Sequence, residues 1–277
     1  MNFLEHNMKG KSVLITGGSK GIGKGCAEVF CSAGTKVVIC SRNEKEGEKT
    51  AVEISGRTRG DCRFFRADIS RPSDAEALVE FTVKTHGRLD CLINNAGYYM
   101  EEKPMDELTL EEMQQIFSVN FFSQFLCCKY ALPYLRKTEG NIINMSSVIG
   151  HTGQEGAYGY TATKGAICSF TRSLAIDEAK NNVRVNALLP GHIHTELYEK
   201  NKRRAEDPEA FEDYSNHVQW FRRGGTPEEV GKACFFLASD LGSFVTGIEL
   251  FVTGGYEIGE GYKTRRLDWQ NRMKIAE

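Results

Sequence analysis

Short apolar runs alternate along the chain with longer segments of helical periodicity. The apolar runs predict seven strands, at 12–16, 36–40, 62–67, 91–94, 141–145, 183–188 and 249–252. Most are continuously apolar and rich in Val and Ile, which is typical of strands covered on both faces. The segments between them predict helices at 22–32, 44–54, 73–85, 110–135, 160–178 and 227–238. Such alternation indicates right-handed βαβ units that build one parallel sheet.

The pattern predicts an α/β fold, a Rossmann-type doubly wound parallel sheet in a single domain spanning residues 1–277. A chain of 277 residues fits one large domain of this kind. We expect the core at 9–255 and a C-terminal tail at 259–277. Residues 192–225 are polar, interrupt the alternation and are too long for an ordinary connection. We predict that they form a small helical lid over the substrate, the alternative being a variable surface excursion.

Composition and charge narrow the class of protein. The formal net charge of -2 argues against a nucleic-acid binder. The nine cysteines are irregularly spaced without a CxxC pair, so we expect no metal site and a reduced, intracellular protein. Five of them, Cys26, Cys31, Cys40, Cys91 and Cys168, fall in apolar patterns that predict burial. The chain has no signal-peptide pattern and no run of eighteen apolar residues, so we expect a cytoplasmic protein without a membrane partner.

A glycine-rich turn joins the first strand to the first helix. The segment TGGSKGIG at 16–23 has glycine at 17, 21 and 23. Glycine allows a tight turn and a close approach of backbone N–H groups to a pyrophosphate, and the helix N-terminus adds the positive end of its dipole. The strand–turn–helix context therefore predicts dinucleotide binding, whereas a purely structural turn is the alternative.

Tyr160 and Lys164 are four residues apart in a predicted helix and so share one face. A phenol is a poor base at neutral pH because its pKa is near 10. We expect the lysine ammonium and a positively charged nicotinamide to lower that pKa. Tyr160 could then exchange a proton with an alcohol or ketone during hydride transfer.

Several motifs together resemble those of the short-chain dehydrogenase/reductase family, over roughly residues 9 to 255. They are the TGxxxGxG turn, NNAG at 94–97, Ser147 placed 13 residues before Tyr160, and PGxxxT at 190–195. The resemblance implies an NAD(P)-dependent enzyme that interconverts a secondary alcohol and a ketone. It also implies that Asn120 and Ser147 complete a catalytic set with Tyr160 and Lys164. Ser147 would hold the substrate oxygen, and Asn120 would support a water-mediated proton relay to the lysine.

The family pattern also implies which residues contact the cofactor. In this sequence they are Gly17, Ser19, Lys20, Gly21, Ile22, Gly23, Ser41, Arg42, Asp68, Asn94, Ala96, Gly97, Tyr160, Lys164, Pro190, Gly191, Ile193 and Thr195. Asp68 matches the family's acidic residue near the adenine, and the segment around Ile193 and Thr195 matches the part that orients the nicotinamide.

Further stretches resemble one subgroup of the family, described both as type 14 17β-hydroxysteroid dehydrogenases and as L-fucose dehydrogenases. They are GRLDC at 87–91, ALPYLRK at 131–137 and TGIEL at 246–250. The resemblance leaves the substrate open between a hydroxysteroid, a sugar such as L-fucose and another secondary alcohol. On the substrate side we expect Tyr98, Tyr99, Gln154 and His194, although the subgroup has His-His in place of the two tyrosines and Trp in place of His194.

The end of the second strand bears on cofactor choice. The subgroup has Asp there, which suits the unphosphorylated ribose of NAD(H), whereas this chain has Ser41 followed by Arg42. A guanidinium can bind a 2′-phosphate with two hydrogen bonds. We therefore predict NADP(H), with NAD(H) as the alternative that the subgroup favours.

Two other functions are compatible with these motifs, and the apolar helix faces bear on the oligomeric state. A ketoacyl-type carbonyl reductase would share the catalytic residues, and a catalytically silent cofactor-binding scaffold would share the fold. Apolar residues on more than one face of the helices at 110–135 and 160–178 predict a homo-oligomer, which we expect to be a tetramer. The resemblance implies that these two helices pair across a two-fold axis.

Overall fold

Seven strands form one fully parallel sheet in the computed structural model, which describes residues 8–258. They are β1 (Ser12–Thr16), β2 (Lys36–Ser41), β3 (Asp61–Arg66), β4 (Cys91–Asn94), β5 (Asn141–Met145), β6 (Arg184–Pro190) and β7 (Glu249–Val252). Their order in the sheet is β3-β2-β1-β4-β5-β6-β7. The order reverses direction between β1 and β4, and at such a point a crevice opens beyond the carboxyl ends of the strands.

Helices cover both faces of the sheet. They are α1 (Gly21–Ser32), α2 (Glu44–Arg57), α3 (Pro72–His86), α4 (Leu110–Phe117), α5 (Ser123–Thr138), α6 (Ile149–Thr152), α7 (Tyr158–Glu178), α8 (Glu196–Arg204), α9 (Pro208–His217) and α10 (Pro227–Ala238). One buried apolar cluster joins the sheet to α1, α2 and α10, and another joins it to α3, α5 and α7. The predicted doubly wound α/β fold is confirmed.

Two features of the helices differ from the sequence prediction. The single helix expected at 110–135 is divided into α4 and α5 by a π-helical segment, Ser118–Phe122. Apolar residues continue without interruption across this segment, so periodicity alone does not reveal the change of hydrogen bonding. The short helix α6 was not predicted, because its four residues are fewer than a periodic pattern needs.

The expected lid region contains two helices, α8 and α9. Each begins with a side-chain cap, since Thr195 accepts a hydrogen bond from Tyr198 N and Asp207 accepts from Glu209 N and Ala210 N. The predicted tail at 259–277 lies outside the described residues. All nine cysteines are buried and free, which confirms the predicted burial of the five named above. Within residues 8–258, no helix combines the length and the apolar character that a membrane span requires.

Candidate active site

The glycine turn after β1 is shaped by backbone that approaches other backbone closely. Gly17 and Gly21 have positive φ angles of 65° and 53°. A Cβ atom at Gly17 would lie 2.9 Å from the Cα atom of Ala96, and one at Gly23 would lie 2.3 Å from the carbonyl oxygen of Gly17. Larger residues would therefore displace the turn.

The first turn of α1 is suited to an anion. Lys20, at its N-cap, makes no side-chain capping hydrogen bond, and the first turn contains no acidic residue. By contrast, side chains cap α2, α4 and α10. Backbone N–H groups at a helix start carry a partial positive charge, so this turn can bind the diphosphate of a dinucleotide.

A cleft of about 420 Å³ opens at the carboxyl edge of the sheet. It brings together most of the residues predicted from sequence. Those lining it are Gly17, Ser19, Lys20, Gly21, Ile22, Ser41, Arg42, Asp68, Ala96, Gly97, Tyr98, Tyr99, Ser147, Tyr160, Lys164, Pro190, Gly191, Ile193 and Thr195. The lining runs from Ser41 at the end of β2 to Tyr160 on α7.

Asn94 lies behind the wall of the cleft rather than on its surface. It is fully buried, and its Nδ2 donates to Asn144 Oδ1 at 2.9 Å and to Cys128 Sγ. The next residue, Asn95, lines the cleft and donates to Thr16 O at 2.9 Å and Gly17 O at 3.1 Å. Asn95 therefore ties β4 to the glycine turn. The NNAG motif contains both asparagines. Asn94 is the last residue of β4 and Asn95 is the first residue of the loop that follows, so only Asn95 lines the cleft.

Gly23, Asn120, Gln154 and His194 also do not line the cleft. Gly23 contributes by allowing the turn to close. The ring of His194 stacks on Tyr198, with centroids 4.6 Å apart, so it packs within the lid region. Gln154 reaches the substrate side through Tyr99, as described below.

Asn120 occupies the π-helical segment and is fully buried. Its Oδ1 accepts from Tyr98 N at 2.7 Å, and its Nδ2 donates to Tyr98 O at 2.9 Å and to Thr163 Oγ1 at 3.2 Å. These bonds fasten the loop after β4 to α7. A Cβ atom at Gly97 would lie 3.6 Å from Asn120 Oδ1 and 3.7 Å from Lys164 Nζ, so both polar groups border the same residue.

Ser147, Tyr160 and Lys164 line the cleft where β5 and α7 meet. β5 ends at Met145, as predicted, and Ser147 lies two residues beyond its end. Ser146 is turned inward, where its hydroxyl donates to Lys164 O at 2.7 Å, whereas Ser147 is half-buried in the cleft. Lys164 Nζ donates to Met145 O at 2.9 Å and lies 5.4 Å from the centroid of the Tyr160 ring.

Burial moves the pKa values of the two titratable groups, Lys164 and Tyr160, apart. It lowers the pKa of Lys164 to about 8. It raises the pKa of Tyr160 to about 12, and a hydrogen bond with Ser147 opposes that rise. The expected lowering of the tyrosine pKa is therefore not produced by the surrounding side chains. It would require the charge of a bound nicotinamide.

The substrate side of Tyr160 is bordered by a polar network. The Tyr99 ring packs edge-on against the Tyr160 ring, with centroids 4.8 Å apart. The Tyr99 hydroxyl donates to Glu102 and accepts from Gln154 Nε2 at 2.8 Å, and Gln154 also donates to Glu102 Oε1 at 2.6 Å. Glu102 was not predicted, because an exposed carboxylate in a charged loop carries no sequence signal. Burial, together with the Glu102 hydrogen bond, raises the pKa of Tyr99.

The opposite end of the cleft lies beside β2 and β3. Ser41 donates to Asn43 O at 3.2 Å, and the Arg42 side chain is exposed at the rim. Asp68 accepts from Ser70 N and Ser70 Oγ, and this hydrogen bonding is the main cause of its lowered pKa. No carboxylate occupies the end of β2.

Comparisons with known proteins agree with this geometry. The family model described as enoyl-(acyl carrier protein) reductase matches residues 17–257. The L-fucose dehydrogenase of Oryctolagus cuniculus is 42% identical over 91% of this chain and 87% of its own length, and that of Bos taurus is 41% identical over 92% of each. The 2,5-dichloro-2,5-cyclohexadiene-1,4-diol dehydrogenase of Sphingobium indicum is 36% identical over 90% of this chain and 98% of its own.

A solved structure is also similar. The crystal structure of Cj0485 dehydrogenase superposes with a TM-score of 0.84 at 33% sequence identity and covers 91% of this chain and 96% of its own. The residues matched by the family model, 17–257, include the residues that line the cleft and the helices α8 and α9. The chain belongs to the short-chain dehydrogenase/reductase family and is an oxidoreductase that acts on CH–OH groups.

Proposed function

We propose that this protein is an NAD(P)-dependent dehydrogenase that interconverts a hydroxyl and a carbonyl group on a sugar, with L-fucose as the first candidate. The observation that carries the proposal is the position of Ser147, Tyr160 and Lys164 together in a cleft that begins at an anion-binding turn. Similarity to L-fucose dehydrogenases over most of the chain supports the sugar as substrate.

The protein's own groups supply proton transfer and orientation. Tyr160 takes the proton of the substrate hydroxyl in oxidation and returns it in reduction. The Ser147 hydroxyl donates to the substrate oxygen, and Lys164 stabilises the phenolate. Asn120 acts as a positioning residue, through its bonds to Tyr98 and Thr163. A nicotinamide cofactor, when bound, supplies the hydride acceptor or donor.

A sugar is favoured over a hydroxysteroid by the polarity around Tyr99. Its hydroxyl, the Gln154 amide and the Glu102 carboxylate form one network next to the Tyr160 ring. Neighbouring hydroxyl groups of a sugar can exchange hydrogen bonds with this network. An apolar steroid skeleton offers no hydrogen bonds to these groups, and packing against them would displace water from the exposed Gln154 amide and Glu102 carboxylate, which costs affinity.

A substrate panel tests the proposal. L-fucose, other aldoses, hydroxysteroids and a ketoacyl thioester are each incubated with NAD(P)+ or NAD(P)H while absorbance of the reduced cofactor is followed. Turnover should be highest for a sugar. Turnover confined to steroids or to the thioester would contradict the proposed substrate class, and binding of cofactor without turnover of any compound would support a silent scaffold.

We also propose a preference for NADP(H). Ser41 offers no carboxylate to repel a 2′-phosphate, and Arg42 is exposed at the same end of the cleft. Ser41→Asp should shift the ratio of kcat/KM values toward NAD(H), because a carboxylate repels the phosphate and accepts from the ribose hydroxyls. A wild-type enzyme that prefers NAD(H), or a ratio unchanged in Ser41→Asp, would contradict the proposal.

A further inference from the structure

A carboxylate from the lid region reaches the anion-binding turn. The backbone N–H of Gly21, the first residue of α1, donates to Glu196 Oε2 at 3.0 Å. Glu196 is the first residue of α8 and is separated from Gly21 by 175 positions in sequence. Because α1 has neither a capping side chain nor an acidic residue in its own first turn, its negative partner comes from a different element.

The start of α8 lies directly against the glycine turn. A Cβ atom at Gly21 would lie 3.4 Å from Thr195 Cγ2 and 3.7 Å from Glu196 Oε2, so the start of α8 packs against the turn. The nearest cation of the turn, Lys20, has its ammonium 4.0 Å from Glu46. Glu196 is itself exposed, so its side chain can leave Gly21 and remain in water.

We propose that Glu196 competes with the cofactor's diphosphate for the N–H groups that begin α1. A carboxylate and a phosphate are both anions that favour this end of a helix, and a single N–H donor cannot serve both fully. The inference rests on the proposed use of the cleft for NAD(P). Its consequence is that Glu196 weakens cofactor binding and that cofactor entry releases the start of α8 from the turn.

Binding constants measured without turnover test the competition. Isothermal titration calorimetry would give the Kd of NADP(H), NAD(H), ADP and adenosine for the wild type, Glu196→Ala, Glu196→Gln and Glu199→Gln. Glu199 is a matched control, because it is an exposed acid in the same first turn of α8. Far-UV circular dichroism and Tm would verify that each variant is folded.

Glu196→Ala should tighten binding of the dinucleotides and of ADP by roughly two- to fivefold. Glu196→Gln should have a smaller effect, since its amide oxygen still accepts a hydrogen bond. Adenosine, which has no phosphate, should bind all four proteins alike, and Glu199→Gln should match the wild type.

Several results would overturn the inference. Unchanged or weaker ADP binding in Glu196→Ala would mean that the carboxylate does not compete. Equal tightening in Glu199→Gln would indicate a general effect of charge, and equal tightening for adenosine would exclude the phosphates as the cause. A wild type that binds none of the nucleotides would overturn the proposed function as well, whereas the other results leave that function intact.

Discussion

Burial opposes the charged forms of both Tyr160 and Lys164. The pKa of the buried amine is therefore lowered to about 8, and the pKa of the phenol is raised to about 12. The Lys164 nitrogen lies 5.4 Å from the centroid of the Tyr160 ring. The proposed proton transfer at Tyr160 therefore needs additional positive charge that favours the phenolate.

The raised pKa of Tyr160 predicts how the rate depends on pH. At saturating cofactor, kcat/KM for oxidation should rise between about pH 6 and pH 9, because oxidation needs the phenolate, whose population grows with pH below the tyrosine pKa. Over the same range kcat/KM for reduction should stay flat, because the phenol that reduction needs is fully protonated below that raised pKa. Ser147→Ala should displace the oxidation profile to higher pH, since the Ser147 hydrogen bond lowers the tyrosine pKa. A flat oxidation profile over this range would contradict the assignment of Tyr160.

The sequence predicts which site residues lie close together where their spacing along one helix determines it. Tyr160 and Lys164 share a helix face, and that is visible in the sequence. The distinction between Ser146 and Ser147, or between Asn94 and Asn95, depends on where a strand ends and how the chain turns. Glu196 lines the cleft from the start of α8, and Glu102 contacts the cleft residue Tyr99 from a loop. No local sequence pattern indicates either contact.

At the scale of elements, α1 and α10 pack unusually closely. A Cβ atom at Gly25 would lie 2.5 Å from Pro227 Cβ and 2.6 Å from the Pro227 carbonyl atoms. A Cβ atom at Gly231 would lie 2.9 Å from Gly25 O. Two glycines thus let α10 lie against the helix that begins at the anion-binding turn.

Gly25→Ala should destabilise the protein by about 1–3 kcal/mol, because the added methyl group forces the two helices apart. The matched control is Gly56→Ala in α2, where nothing lies within 4 Å of the new Cβ atom. The control should stabilise by about 0.4–1 kcal/mol through the unfolded state. Urea unfolding measures both, and equal effects at the two sites would contradict the proposed close packing.

The elements themselves were largely predictable, since short runs of mostly apolar residues identified all seven strands. β1, β4, β5 and β7 have the predicted bounds. β6 instead extends to Pro190, because β7 pairs with it over its last residues, a tertiary contact that sequence does not show. The π-helical segment likewise depends on the polar contacts of Asn120 with another helix.

At the scale of the whole molecule, apolar side chains remain exposed on the outer faces of α5 and α7. Phe122, which ends the π-helical segment just before α5, is 50% exposed, Phe125 on α5 is 44% exposed, and Ile176 on α7 is 77% exposed. The rings of Phe121, in the π-helical segment, and Phe170, on α7, meet edge-on with centroids 5.7 Å apart, so the apolar surface continues from one element to the other. An apolar surface of this kind is typical of an interface.

We predict that the protein forms a homo-oligomer, with a tetramer as the expected state, through this face. Phe125→Glu should shift the population toward smaller species, because it places a charge in the contact. Val52→Glu is the control, since Val52 is 73% exposed on α2, away from this face. Light scattering at micromolar concentration provides the measurement, and a wild-type monomer would contradict the prediction.

Tyr160→Phe tests the central claim most directly, because it removes one hydroxyl and leaves the anion-binding turn intact. With L-fucose or the best sugar of the panel, turnover should fall by at least about a hundredfold, while the Kd of the cofactor measured by calorimetry stays close to the wild-type value. Turnover within about tenfold of the wild type would contradict the acid–base role of Tyr160 and the mechanism built on it.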